Sequence, residues 1–145
     1  MNEFYFVDSN LWIYAAMSDG SKSERARALI ENGQIVISTQ VINEVCFNLL
    51  RKYHYSENEI AVFIRQISAT CHVHPITIAT CFTASTLRQH YRFSFWDSMI
   101  VAAALESHCT ILYSEDMQHE QHIEKQLIIL NPFSESEFSK LRKLP

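Results

Sequence analysis

The segment "FWDSMIVAAALESH" at Phe95–His108, together with "TILY" at Thr110–Tyr113, decides the fold class. From Met99 to Leu105 it contains no polar residue. In a chain with 48% hydrophobic and 19% charged residues, that pattern predicts a helix enclosed on nearly all sides, followed by a strand. A helix of this kind needs other elements around it, so it should sit centrally in a layered structure.

The same alternation extends outward from this helix. Phe4 to Val7 is a short apolar, aromatic run that ends at Asp8, with Ser9 available to cap a helix through Ala16. Glu24 to Glu31 reads as a short helix closed near Gly33, and Ile35 to Ile37 as a second strand. Val41, Ile42, Val45, Cys46, Leu49, Leu50 and Tyr53 recur at helical spacing behind the candidate caps Ser38 and Thr39. Ser56 and Glu59 form a capping-box pattern for a helix toward Ala69, Val73 to Ile76 suits a short strand, and Thr77 opens a helix toward His90. Leu127 to Leu130 reads as a strand after the polar segment Ser114 to Gln126, where "HEQH" at His119–His122 is expected in a solvated loop. Ser134 with Glu137 could cap a last helix. Strands alternating with helices long enough for crossovers imply an α/β fold, a mostly parallel sheet covered by helices on both faces. With 145 residues and no linker or repeat, residues 1–145 are read as a single domain.

Several function classes drop out. Gly20 and Gly33 are the only glycines, so neither a P-loop nor a dinucleotide fingerprint can be built. Cys46, Cys71, Cys81 and Cys109 form no CxxC pair and are expected to be buried free thiols. The seven histidines offer no recognised zinc spacing; His72 and His74 would share one face of a strand in a structural role. No apolar run reaches membrane-spanning length and the first residues lack a basic leader, so a cytoplasmic location with no membrane contact is expected. A formal charge of −4 provides no general basic field, and any nucleic-acid contact must be local.

Acids near strand ends are the residues to inspect, because ligands of open parallel sheets bind outside the carboxyl ends of the strands. Asp8 ends the first strand, and Asp116 follows Thr110–Tyr113 through Ser114 and Glu115. Either could serve only as a turn or cap, and Glu115 or Asp116 could turn inward. Asp97 projects onto an apolar helix surface with Ile100, Val101 and Ala104 and should be largely buried, satisfied either by Ser94 or by a cation. Glu44 projects away from its apolar stripe toward Asn48 and Arg51, as on a solvated face, yet lies close to a strand end. If these acids converge, two ionised carboxylates about 4 Å apart repel by about 4 kcal/mol at an effective dielectric near 20, and the cluster needs cations. Oxygen-only ligands favour Mg²⁺ or Mn²⁺ over zinc.

"FVDSN", the Glu44 segment "STQVINEV", "FWDSMIVAAALE" and "LYSEDMQH" occur in the order seen in PIN-domain nucleases, and the chain resembles VapC-like toxins over nearly its whole length. The resemblance implies a PIN-like three-layer α/β/α sandwich. It implies a metal-dependent endoribonuclease whose Asp8, Glu44, Asp97 and Asp116 hold Mg²⁺ or Mn²⁺, with Asn10 and Ser114 as supporting polar residues. Hydrolysis to a 5′-phosphate and a 3′-hydroxyl, RNA as substrate and an antitoxin as protein partner follow from the same likeness. Trp12, Tyr14, Tyr53, Tyr55 and Phe63 would suit a homodimer contact or an antitoxin groove if part of the set is exposed. Arg51, Lys52, Arg88 and Arg92 are scattered cations that could touch phosphates. Two other classes compete with the nuclease. One is a catalytically inactive PIN-like scaffold that binds RNA or protein; the other is a phospho-acceptor receiver domain. The receiver class lacks support, because Asn2 and Glu3 stand where it needs an acidic pair and "SEDMQ" offers no lysine.

Overall fold

The computed structural model describes residues 3–17 and 19–134. Within them the chain runs β1 (Phe4–Val7), α1 (Ser9–Ala16), α2 (Ser21–Asn32), β2 (Gln34–Ser38), α3 (Thr39–Lys52), α4 (Glu57–Thr70) and β3 (His72–His74). It continues through α5 (Ile78–His90), α6 (Phe95–Glu106), β4 (Ile111–Tyr113), β5 (Gln121–Ile123) and β6 (Leu127–Leu130). The strands form one sheet in the order β3-β2-β1-β4-β6-β5, parallel except for β5 against β6. This is the α/β architecture anticipated from the sequence.

The order locates the site. From β1 the chain steps outward to β2 and β3 on one side, then returns to place β4 on β1's other side. Right-handed crossovers going out and coming back put their helices on opposite faces, so the carboxyl ends of β1 and β4 flank a crevice where the winding reverses. Helix α6 packs on α5 and on β2, and α3 packs on β2, α1 and α4, so helices bracket the sheet. Ala102, Ala103 and Ala104 are fully buried, and these small side chains let α6 approach its neighbours closely while Phe6, Ile37, Leu112 and Ile129 fill the core.

Local capping agrees with the sequence. Ser56 and Glu59 make the reciprocal capping box, Thr77 caps α5, and Ser38 caps α3 by accepting from Val41 N. At α1 the cap is Asp8 rather than Ser9, because Asp8 is still extended (φ −71°, ψ 161°) and Ser9 is the first helical residue. Helix α2 begins at Ser21, one turn earlier than the expected Glu24.

Three further expectations are corrected. The polar segment between β4 and β6 contains β5, in which Gln121, His122 and Ile123 pair with β6, so "HEQH" is partly strand. His119 accepts a 2.9 Å hydrogen bond from Asn131 N through Nδ1, a structural use of a ring expected in solvent. Cys46 and Cys109 are buried and Cys71 half-buried, but Cys81 is exposed because it lies in the exposed first turns of α5. All four are free thiols. The expected capping pair Ser134 and Glu137 reaches outside the described residues. Among the described residues no helix is long and apolar enough to cross a membrane.

Candidate active site

Asp8 is the fixed point of the crevice. Its backbone N–H donates to Tyr113 O at 3.0 Å, which continues the β1–β4 pairing by one residue. Its carboxylate is only 4% exposed; Oδ1 accepts from Ser9 N at 2.7 Å and Oδ2 from the Ser114 hydroxyl at 2.8 Å. Ser114 directly follows β4 and is fully buried. Burial raises the Asp8 pKa, the Ser114 and Ser9 hydrogen bonds lower it, and the charges of Glu44 and Asp97 raise it, leaving it at about 6.

Glu44 reaches the same crevice from the second turn of α3. Ser9 Oγ lies 3.3 Å from Glu44 Oε2 and 3.4 Å from Asp8 Oδ1, so one hydroxyl stands between the two carboxylates. Gln40 Nε2, one turn earlier, donates to Glu44 Oε1 at 2.9 Å and to Trp96 O at 3.3 Å. The outward projection toward Asn48 and Arg51 is therefore not what the fold produces. Glu44 is half-buried, and the Asn48 amide is spent on the Glu44 backbone carbonyl at 2.9 Å.

Asp97 is half-buried rather than largely buried. The first turn of α6 projects from the carboxyl edge of the sheet, with Phe95 and Trp96 exposed, and enclosure begins at Ser98. Ser94 caps the helix by accepting from Asp97 N at 3.1 Å. Partial burial raises the Asp97 pKa, the Ser94 hydrogen bond lowers it, and the charge of Asp116 raises it.

Asp116 is exposed and accepts from Asn10 Nδ2 at 3.1 Å. Its neighbour Glu115 faces elsewhere: Tyr14 donates to Oε1 at 2.7 Å, and the Lys22 ammonium pairs with Oε2. Of the two adjacent acids, Asp116 is the one whose charge acts on Asp97. Asp8, Glu44, Asp97 and Asp116 come from four separate elements, and their charges act on one another in a chain from Glu44 through Asp8 and Asp97 to Asp116.

The donor set suits a hard divalent cation. Every charged group is an oxygen donor, and Asn10 Oδ1 is buried at the site with no hydrogen-bond partner among the described residues. Among those residues no three His, Cys, Asp or Glu side chains converge closely enough to hold an ion as they stand. Their oxygens are engaged by Ser9, Ser114, Gln40 and Asn10, hydrogen bonds that ion binding would have to rearrange. The sequence marked Ser9 only as a helix cap and gave Gln40 no role. The available signals were Gln40 at i−4 from Glu44, a facing position on a helix, and the position of Ser9 beside Asp8.

Of the cations weighed as phosphate contacts, Arg88 is committed inside the protein: it donates to Ser98 Oγ at 2.7 Å and stacks 4.4 Å from the Phe95 ring centroid. Arg51, Lys52 and Arg92 are exposed. His74 pairs with Glu106 at 2.7 Å, where Thr80 also donates, so this histidine clamps β3 to α5 and α6.

Comparison with known proteins gives a family match and a fold match. The PIN domain family model matches residues 5–124. No curated relative matches the chain in sequence. Among solved structures, a toxin-antitoxin complex from Klebsiella pneumoniae superposes with a TM-score of 0.68 at 21% identity, covering 89% of this chain and 98% of that one. The Mycobacterium tuberculosis toxin VapC20, described as cleaving the sarcin-ricin loop, gives 0.64 at 20% identity over 77% of this chain and 89% of its own. VapBC2 from Rickettsia felis, solved bound to a DNA fragment from its promoter, gives 0.62 at 18% identity over 87% and 96%. At these identities the likeness shows a shared fold.

Proposed function

Because the chain belongs to the PIN-domain family, we propose that it is a metal-dependent endoribonuclease acting as the VapC-like toxin of a toxin-antitoxin pair. The observation that supports this reading is that Asp8, Glu44, Asp97 and Asp116, acids distant in sequence, lie near enough for their charges to act on one another from Glu44 through Asp8 and Asp97 to Asp116, where the sheet reverses its winding. Burial and neighbouring negative charge raise the pKa values of Asp8 and Asp97 and weaken their charged state, a cost that a bound cation would offset.

In this reading the four acids hold Mg²⁺ or Mn²⁺, with Asn10 supporting Asp116 and Ser114 orienting Asp8. A bound divalent ion supplies a lowered pKa for a coordinated water and charge neutralisation for the phosphate. The chain's own part is to fix the carboxylates in place: Ser9 and Ser114 donate to Asp8, Gln40 to Glu44, and Asn10 to Asp116. Hydrolysis adds water at phosphorus and breaks the bond to the 3′ oxygen, leaving a 5′-phosphate and a 3′-hydroxyl.

A protein partner fits a different face. Trp12, Tyr55 and Phe63 line a shallow groove of about 430 Å³, beside the exposed apolar side chain of Val62. Of the aromatics weighed for such a contact, Trp12 is nearly buried and donates to Val7 O at 3.1 Å, so it forms the floor while Tyr55 and Phe63 form the walls. We assign this groove to an antitoxin segment or a second copy of the chain.

The test is RNA cleavage with Mg²⁺ or Mn²⁺ by the wild type and by Asp8→Ala and Asp97→Ala proteins with unchanged circular dichroism. Cleavage should vanish in both variants. Equal cleavage by all three would end the reading, whereas RNA binding without cleavage in any of them would favour the non-cutting scaffold.

A further inference from the structure

Beside the acids the surface changes character. A groove of about 700 Å³ has Trp96, Phe47 and Met99 as its apolar lining, Asn43 and Asn48 as amides, and Glu44 of the acid cluster in one wall. Its volume lies in the range of small-molecule pockets, and its lining combines flat apolar surface with a few polar groups. Trp96 is 64% exposed and Phe47 58%, an unusual use of large aromatic side chains next to charged groups.

The exposed ring is held in place. Phe95 meets Trp96 edge to face with centroids 5.0 Å apart, and Arg88 stacks on Phe95. Gln40 ties the Trp96 carbonyl to the Glu44 carboxylate through one amide nitrogen. On the far side Arg51 lies 5.7 Å from the centroid of Phe47, a cation at the rim. The Asn43 side chain makes no hydrogen bond with any described residue, so its amide donor and acceptor are available to a ligand edge.

We propose that this groove binds a nucleobase of single-stranded RNA next to the cleaved phosphate, stacked on Trp96 and contacted at its edge by Asn43. Three features select a base over an apolar protein side chain. The aromatic faces are flat and exposed, the Asn43 amide offers a donor and an acceptor that match the pattern of base edges, and the groove is continuous with the acids through Glu44. Glu44 lines the groove, and Gln40 links its carboxylate to the Trp96 carbonyl, so a base on the indole brings its own phosphate toward the carboxylates. The proposal rests on the nuclease reading for the identity of the polymer, yet its test does not require cleavage.

The readout is tryptophan fluorescence. The chain has two tryptophans, and Trp12 is 8% exposed while Trp96 is 64% exposed, so quenching by an added short RNA oligonucleotide reports on Trp96. The wild type should be quenched saturably without metal. Trp96→Phe should lose the signal but keep most of the affinity, measured with a labelled oligonucleotide, whereas Trp96→Ala should weaken binding by about tenfold or more, the size typical of one base stacked on an aromatic ring. Phe82→Ala, which removes an equally exposed aromatic side chain from outside the groove, should leave binding unchanged. Quenching without any cleavage would sink the nuclease reading and keep the groove. Cleavage lost in Asp97→Ala while Trp96→Ala binds and cleaves RNA like the wild type would do the reverse. A Trp96→Ala protein that binds RNA normally but fails to self-associate or to hold a protein partner would overturn the proposal in favour of a protein face.

Discussion

Ser114 donates its hydroxyl proton to Asp8 Oδ2 at 2.8 Å, and both side chains are buried at the ends of neighbouring parallel strands. The bond fixes one acid of the cluster at the crevice and limits how far its pKa rises. Replacing Ser114 with Ala should raise the Asp8 pKa further and cost about 1–3 kcal/mol at pH 7, the range for a lost hydrogen bond to a charged group. Urea denaturation checks the stability, and NMR titration of the Asp8 carboxyl checks the direction of the shift.

Asp8 also predicts a pH dependence. Its folded pKa of about 6 lies above its unfolded value near 3.9, so the folded protein holds the proton more tightly between those limits. The cost of burying the ionised acid is absent below pH ~4, grows through the window, and is fully present above pH ~6. A rise from 3.8 to about 6 corresponds to about 3 kcal/mol at most. In metal-free buffer Asp8→Asn should therefore match the wild type near pH 4 and exceed its stability by about 1–3 kcal/mol at pH 7. Denaturation curves at both pH values decide this.

Glu115 and Asp116 are adjacent but have separate tasks. Glu115 pairs with Lys22 and Tyr14, and Asp116 with Asn10. In an RNA cleavage assay Asp116→Asn should lower kcat by about a hundredfold or more, the lower end of what one group stabilising transition-state charge contributes. Glu115→Gln should stay within about twofold. Because Lys22 is half-exposed, loss of that ion pair should change stability by less than about 1 kcal/mol.

The closeness of α6 to its neighbours gives a stability prediction. Ala103 is fully buried, and Ala103→Leu should destabilise the fold by about 1–3 kcal/mol or more through overpacking. Replacing the exposed Phe82 with Ala should change thermal stability little, and calorimetric melting distinguishes the two.

The legibility of these features in the sequence follows their physics. The apolar α6 and the capped α3, α4 and α5 announce themselves locally, because periodicity and caps are short-range signals. Strand β5 does not: it has one buried residue, Ile123, and its hairpin turns at Glu124 and Lys125 with φ of 53° and 56°. Such turns usually carry Asn-Gly or Asp-Gly, so a Glu-Lys turn leaves no sequence mark. Asp8, Asp97 and the pair Glu115–Asp116 stood out as candidates from strand ends and helix patterning. Glu44 turning inward depends on Ser9, 35 positions away, and Asp116 rather than Glu115 depends on Lys22 and Asn10, pairings that only the tertiary fold creates.

The central claim is that these carboxylates form one site for a divalent ion, and calorimetric titration with Mn²⁺ addresses it without any substrate. The wild type should bind saturably, and Asp97→Asn, with unchanged circular dichroism, should lose that heat. Equal heats from the two proteins, or none from the wild type, would contradict the account.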